Sequence, residues 1–299
     1  MKFKPVLLGT VSLASLAAAT GIAVSQDAGP SGYTLSVEGG GMFGANTVAE
    51  DKLGSAGSAG AIAEIQDNVS YRGSVAIGQR IDESLDWKIA LGFTQQVPSS
   101  TYVDFSGGPS SGYAEMESAF NFQTADLEIG FSPSIDSANV RLFGGLRGMH
   151  FNDSSDKLGY QSGGPGGLGL ETNYDNEFIG AGPRVGVEGS MALGDSNFGL
   201  SGLLAASAIY GVQRATLDAT LFSGGLSSPQ PVPGLEEEWG TIFDIEAALG
   251  VDVYLNDQTT LTVGVRAENI SGISLFDASG GSSESRFSYG PTVKLVSSF

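Results

Sequence analysis

The sequence predicts an all-β fold: a closed antiparallel transmembrane β-barrel of about ten strands, with eight or twelve strands as alternatives. Ten segments alternate apolar and polar residues with a period of two, as strands do when their two faces meet different environments. The connections between these segments are alternately short and long, which is typical of outer-membrane barrels. No segment after the N-terminal leader has the ~18 consecutive apolar residues that indicate a transmembrane helix.

Residues 1–25 are predicted to be a signal peptide. A pair of lysines precedes an apolar run, Val6–Ala19, and small residues continue to Ser25. This run is shorter than the ~20 apolar residues of a spanning helix. We therefore expect cleavage after Ser25, with Ala19 and Ala23 as alternative sites, and a barrel domain over residues 26–299. The chain has no Cys, which excludes lipoprotein attachment and a disulfide framework.

The predicted strands follow one another with a tight turn after every second strand. Their alternating cores are 33–43, 71–81, 85–94, 125–131, 140–147, 179–188, 198–213, 239–253, 261–268 and 287–299. Phe120 and Phe122 interrupt the alternation just before the fourth strand, and the seventh is small and apolar on both faces. Long exposed loops rich in Gly, Ser, Pro and Asp are expected at 44–69, 98–116, 152–174, 214–238 and 271–284.

The polar face of these strands carries charges of both signs, whereas the opposite face carries almost none. In a soluble sandwich, the alternative fold, the polar face would meet water; in a barrel it lines the lumen. Aromatic residues recur near the strand ends, where barrels place their interfacial girdles, and this favours the barrel. The candidate lumen-lining residues are Arg72, Arg80, Lys88, Asp126, Glu128, Arg141, Arg147, Arg184, Glu188, Asp244, Glu246, Arg266 and Glu268. A barrel of about ten strands is narrow, so we expect these charges to pair.

The charge balance and the C-terminal residue indicate which partners the chain is expected to have. Acidic residues outnumber basic ones by 33 to 14, so the basic footprint that nucleic-acid binding needs is missing. The expected partners are the lipid of the bacterial outer membrane and the barrel-assembly machinery. Phe299 ends a strand with alternating apolar residues, and we interpret it as the signal that this machinery reads. The sequence leaves the oligomeric state open.

No catalytic, cofactor or metal site is expected. His150, the single histidine, lies at the outer end of the fifth strand, where barrel enzymes can place a general base, but no nucleophile motif flanks it. Two GxGxxG matches lack the strand-then-helix context of a dinucleotide site. The acidic loop residues lack EF-hand spacing.

Three segments resemble the Legionella-type major outer membrane protein family. They are the sixth-strand sequence Phe178–Val187, Asp126–Glu128 in the fourth strand, and Arg141–Arg147 in the fifth. The resemblance implies a pore-forming barrel without enzymatic activity. The leading hypothesis is thus a channel for passive diffusion of small solutes. The alternatives are a non-conducting structural or surface-interaction barrel with acidic loops and, third, a barrel enzyme that uses His150.

Overall fold

The described part of the chain consists of strands and tight turns. The computed structural model describes residues 32–44, 62–64, 68–105, 111–133, 138–162, 168–194, 196–223, 226–230, 237–275 and 282–299. The predicted signal peptide lies outside these residues. Among the described residues, no helix is long and apolar enough to cross a membrane.

The strands in the described ranges are numbered in chain order. They are β1 (Tyr33–Gly44), β2 (Ile62–Glu64), β3 (Asn68–Arg80), β4 (Leu85–Gln96), β5 (Ser99–Phe105), β6 (Ser111–Phe131), β7 (Asn139–Ser162), β8 (Leu168–Ala192), β9 (Phe198–Ser223), β10 (Leu226–Gln230), β11 (Glu238–Asn256), β12 (Thr259–Leu275) and β13 (Ser282–Ser298).

Ten of these strands close into a ring in the order β1, β3, β4, β6, β7, β8, β9, β11, β12, β13. The first and last strands of the ring pair with each other, so Val37 of β1 lies opposite Leu295 on one side and Val75 on the other. All ring pairs are antiparallel. The predicted closed barrel and its count of ten strands are confirmed, and closure leaves the ring without an unpaired edge.

The remaining described strands extend the wall on the side opposite the short turns. β5 continues β4 after an interruption at Val97 and Pro98: β4 pairs with β6 as far as Gln95, and β5 resumes the pairing at Ser99. A proline cannot donate to the hydrogen-bond ladder, which accounts for the interruption. β2 pairs with β5, and β10 pairs with β9.

The prediction of long exposed loops was wrong over much of their length. β7 and β8 stay paired as far as Gln161 opposite Leu168, and β8 and β9 as far as Leu168 opposite Ser223. The composition of these segments predicts exposure, which is correct for outward side chains that the structure describes, such as Glu171, Asn173 and Asp218. Backbone pairing needs only free N–H and C=O groups, so the ladder continues through polar sequence.

The outer face of the ring is apolar over a band that ends at one common level. Along β8 the outward residues change from Glu177 to Ile179, and along β9 they change from Arg214 to Val212. Val212 is the register partner of both Ile179 and Trp239. Within the band, Leu249 is 70% exposed. Exposed apolar side chains over the band and an aromatic residue at its edge are the pattern of a lipid-facing wall.

The short turns lie at the other end of the barrel, where β1 begins and β13 ends. This end is the periplasmic side. Asp82 accepts hydrogen bonds from the backbone N–H groups of Ser84 and Leu85 at 2.7 and 2.8 Å, and these bonds lower the pKa of the Asp82 carboxyl. Gly194 occupies the left-handed region with φ of 61°, which suits a glycine in the β8–β9 turn.

Candidate functional site

The structure places the thirteen candidate lumen residues on the inner side of the ring. Nine of them are buried: Arg72, Asp126, Glu128, Arg147, Arg184, Asp244, Glu246, Arg266 and Glu268. Lys88, Arg141 and Glu188 lie nearer the periplasmic end and are half-buried, and Arg80 is exposed at the periplasmic mouth. Because side chains alternate along a strand, one register of the sheet turns all of them inward.

Glu246 on β11 is the hub of the buried charges. Its Oε1 accepts a hydrogen bond from Arg184 Nη1 at 2.8 Å and also contacts Arg147 Nη1. Its Oε2 accepts from Arg266 Nη1 at 2.5 Å, and Arg72 Nη2 lies 3.9 Å away. Glu246 is 1% exposed. One carboxylate therefore joins guanidinium groups from β3, β7, β8 and β12.

Arginine side chains also meet the other buried carboxylates, some on a neighbouring strand and some on strands farther round the ring. Arg147 holds Asp126 with two bonds of 2.6 Å and also contacts Asp244. Arg184 donates to Glu128 at 3.1 Å. Arg72 of β3 donates to Glu268 of β12 at 2.6 Å, across the positions of β1 and β13. The pairs of Arg184 with Glu128 and of Arg72 with Glu268 link strands that are not neighbours in the ring.

Arg266 and a second group of charges complete the network toward the periplasm. Arg266 binds Glu38 through two bonds of 2.9 and 3.1 Å. Arg141 binds Asp86 at 2.8 and 2.9 Å and Glu188 at 2.9 Å, and a further bond of 3.0 Å links it to Glu128. Lys88 Nζ lies 3.0 Å from Glu128 and 3.4 Å from Glu188. The ring of Phe143 lies 5.2 to 5.6 Å from the cationic groups of Lys88, Arg141 and Arg184.

Three carboxylates in this network lie close enough together to be considered as metal ligands. Asp244, Glu246 and Glu268 each offer an oxygen within 4.8 Å of the others. Arg147, Arg72 and Arg266 bind these same carboxylates, so a metal ion would face guanidinium groups at contact distance. Three carboxylates that are already bound by arginines fit an ion-pair network better than a cation site.

An apolar cluster fills the lumen above the charge network, on the extracellular side. Its members are Phe120, Phe122, Met149, Phe151, Phe178, Ile209, Ile242, Ile270 and Ile273. The ring of Phe151 lies 5.3 Å from that of Phe178 and 5.5 Å from that of Phe120. Together the network and the cluster fill the lumen in two successive layers.

Sequence reasoning missed the apolar cluster, although a signal for it was present. Phe120 and Phe122 share the parity of Asp126 and Glu128, so they continue the inward face rather than break the strand. Ile273 could not be placed in the same way. A bulge at Gly272, where φ is 88°, shifts the register and turns both Ile270 and Ile273 inward.

His150 lies on the outer wall, away from the lumen charges. Its Nε2 is 2.9 Å from Glu177 Oε1, and 39% of the His150 side chain is exposed. Both residues lie at the level where the outer face changes from apolar to polar. A histidine in an exposed pair at this boundary has the position of an interfacial residue.

Phe299 closes the ring at its periplasmic end. Its backbone N–H donates to Tyr33 O at 2.9 Å, and its carbonyl accepts from Tyr33 N at 2.8 Å. The two rings stack with their centroids 6.3 Å apart. Recognition of Phe299 by the assembly machinery stays a prediction.

The ten-stranded ring, its lipid-facing band and its polar lumen define a bacterial outer-membrane β-barrel. The sequence profile described as Legionella pneumophila major outer membrane protein precursor matches residues 80–265. The chain belongs to this family, as its sequence had suggested. No curated protein sequence matches the chain significantly.

Several solved structures are similar to the chain at low sequence identity. The outer membrane protease OmpT from Escherichia coli is 11% identical, with a TM-score of 0.47, over 90% of this chain and 97% of that one. Neisserial surface protein A is 8% identical, with a TM-score of 0.29, over 89% and 97%. An outer membrane channel from Pseudomonas putida F1 is 10% identical, with a TM-score of 0.30, over 91% and 97%.

Proposed function

We propose that this protein is a non-conducting outer-membrane barrel that acts as a structural or surface-interaction element through its extracellular wall. The observation that carries the proposal is the filled lumen. The buried charge network and the apolar cluster occupy successive layers, and Arg147, Phe151 and Glu246 at their centre are each at most 2% exposed. A diffusion pore needs a continuous aqueous path, so the filling favours this alternative over the channel that the family resemblance implied.

The outer wall beyond the lipid-facing band supports a role at the cell surface. Among the side chains that the structure describes there, the exposed ones are predominantly acidic: Glu171, Asp175, Glu177, Asp218 and Glu237. Arg214 is the cation that accompanies them on β9, and it pairs with Glu237 at 2.7 Å. Paired strands hold four of these carboxylates, and Glu237 directly precedes β11, so the array would repel anions and attract cationic partners.

The position of His150 supports a protein without catalytic activity. The partner of its ring nitrogen is Glu177, on the outer wall. A general base must reach the proton that it removes from a bound substrate, usually in a sheltered cleft. The lumen behind His150 is occupied by the buried rings of Phe151 and Phe178.

Conductance in planar bilayers tests the proposal. We expect the purified protein, shown to be folded by its β-type circular dichroism, to give no discrete openings. A variant with Arg147→Ala, Phe151→Ala and Phe178→Ala removes one central side chain from the charge network and two from the apolar cluster, and should conduct. Discrete openings of the unmodified protein would refute the proposal. A silent but folded variant would show that these layers are not the barrier.

Binding of a cationic polymer tests the surface role. Vesicles that carry the protein with its extracellular side outward should bind polylysine more than protein-free vesicles of the same neutral lipid. The triple variant Glu171→Gln, Asp175→Asn, Glu177→Gln should lose part of this binding. Unchanged binding would remove the acidic wall from the proposed function.

A further inference from the structure

Two buried carboxylates at the extracellular end of the charge network each have an oxygen without a hydrogen-bond donor. Asp244 Oδ2 contacts Arg147, and Glu268 Oε2 accepts a hydrogen bond from Arg72 at 2.6 Å. Asp244 Oδ1 and Glu268 Oε1 are buried and have no partner among the described residues. Asp244 is 0% and Glu268 2% exposed, so bulk water does not reach these oxygens. An ionised carboxylate in such a position loses hydration that nothing replaces.

The two carboxylates lie on neighbouring strands and point to the same side of the sheet. Glu268 of β12 is the register partner of Glu246, and Asp244 precedes Glu246 by two residues on β11. Asp244, Glu246 and Glu268 each offer an oxygen within 4.8 Å of the others. Like charges at this separation repel one another, and the repulsion is stronger where water is excluded.

The apolar cluster adjoins Asp244 on the extracellular side. Ile242 precedes Asp244 by two residues on β11, and Ile270 is the register partner of Asp244 on β12. Both isoleucines belong to the cluster, and neither is more than 2% exposed. Asp244 therefore lies at the boundary between the two layers of the lumen, with hydrocarbon on one side.

The arginines that reach these carboxylates are shared with others. Among the described residues, Arg147 is the cation that contacts Asp244, and it also contacts Glu246 and holds Asp126 with two bonds of 2.6 Å. The other arginines near Glu246 are shared in the same way: Arg184 with Glu128, Arg266 with Glu38 and Arg72 with Glu268. Carboxylates therefore outnumber cations in the described network, and the full charge of Arg147 is not available to Asp244.

We propose that Asp244 and Glu268 together hold one proton, so that the pair is a buried proton-binding site. The protonated carboxyl donates a hydrogen bond to the unpartnered oxygen of the other carboxylate, directly or through one water molecule. Two carboxylates of an aspartic protease share one proton for the same reason, since like charges so close cannot both ionise. The proton removes one negative charge from the network and leaves the bonds of Arg147 and Arg72 in place.

Infrared spectroscopy of the folded protein detects this proton, at neutral pH and in a detergent without carbonyl groups. A protonated carboxyl gives a C=O stretching band that is separate from the amide and carboxylate bands and shifts in D₂O. We expect the band in the unmodified protein and its loss in Asp244→Asn and in Glu268→Gln, because a single carboxylate that faces an amide stays ionised. The matched control is Asp252→Asn, outside the pair, where Oδ1 accepts bonds from Ser201 and Thr262; this variant should keep the band.

The midpoint of urea unfolding gives a second measurement. In Asp244→Asn the amide oxygen accepts from Arg147 while the NH₂ group donates to Glu268, so the variant reproduces the proposed hydrogen bond. We expect its midpoint to equal or exceed that of the unmodified protein. Glu246→Gln should lower the midpoint, because both oxygens of Glu246 already accept bonds from arginines.

Four results would overturn the proposal. They are absence of the infrared band from the unmodified protein, its persistence in either variant of the pair, its loss in Asp252→Asn, and a fall of the midpoint in Asp244→Asn as large as that in Glu246→Gln. The first of these needs no variant, so the proposal can be refuted even if a substitution prevents folding.

Discussion

Replacing the hub carboxylate, Glu246→Gln, should cost more stability than any exposed charge change in this barrel. Glu246 Oε1 contacts Arg147 and Arg184, and Oε2 contacts Arg266. A glutamine has one amide oxygen and one NH₂ group, so whichever way it is oriented, at least one guanidinium faces a donor. Removing one partner of a buried ion pair costs roughly 3–5 kcal/mol. We expect a loss at the lower end of this range, because Asp126, Glu128 and Glu38 still bind these arginines.

Urea unfolding in lipid vesicles measures this loss. Trp87 and Trp239, the two tryptophans of the chain, lie on the barrel wall and report departure from the membrane by fluorescence. The control is Glu237→Gln, which makes the same chemical change where the side chain is 59% exposed and its partner Arg214 is 57% exposed. Such surface pairs contribute about 0–1 kcal/mol. Equal shifts of the unfolding midpoint in the two variants, at unchanged slope, would refute the view that Glu246 organises the lumen.

Three further expectations follow from individual positions. Phe151→Ala should destabilise the barrel by about 3–5 kcal/mol in the same assay, because the side chain is fully buried among aromatic rings; a loss below about 1 kcal/mol would contradict the packing. Gly272→Ala should lower stability by about 1–3 kcal/mol, because φ is 88° and the added methyl carbon would lie 2.6 Å from Thr241 O. At Gly144 nothing lies within 4 Å of such a carbon, so Gly144→Ala should be tolerated; equal losses would exclude strain as the cause. Deleting Phe299 should cause periplasmic accumulation of the chain in cells, and normal insertion would show that the terminal residue is not the assembly signal.

The residues of the inward face could be predicted from the sequence, because alternate residues of a strand point to the same side of the sheet. Side chains alternate along a strand, so Arg147 and Asp126 were assigned to the lumen without knowledge of which strands are neighbours. The strand count followed from the same alternation. The family followed from three short segments. These inferences need only local sequence.

The partners within the lumen could not be predicted, because they depend on the curvature of the closed sheet. Arg72 meets Glu268 across 196 positions of sequence, and the two strands are not adjacent in the ring. The bulge at Gly272 is also hidden in the sequence, where the glycine could equally belong to a loop. The length of β7, β8 and β9 was underestimated because polar composition was interpreted as a loop.

The lumen changes from charged to apolar toward the extracellular edge of the lipid-facing band. Within the band the outer residues are apolar, so the polar residues of each strand point inward and must pair there. At the edge marked by Glu177 and Arg214 the inward residues are apolar: Phe178 follows Glu177 on β8, and Ile209 lies just inside the edge on β9. Paired strands that project past the membrane need packing support, since isolated hairpins are marginally stable. The apolar cluster lies at the base of these strands, so opening a pore through it would remove packing that supports the extracellular wall.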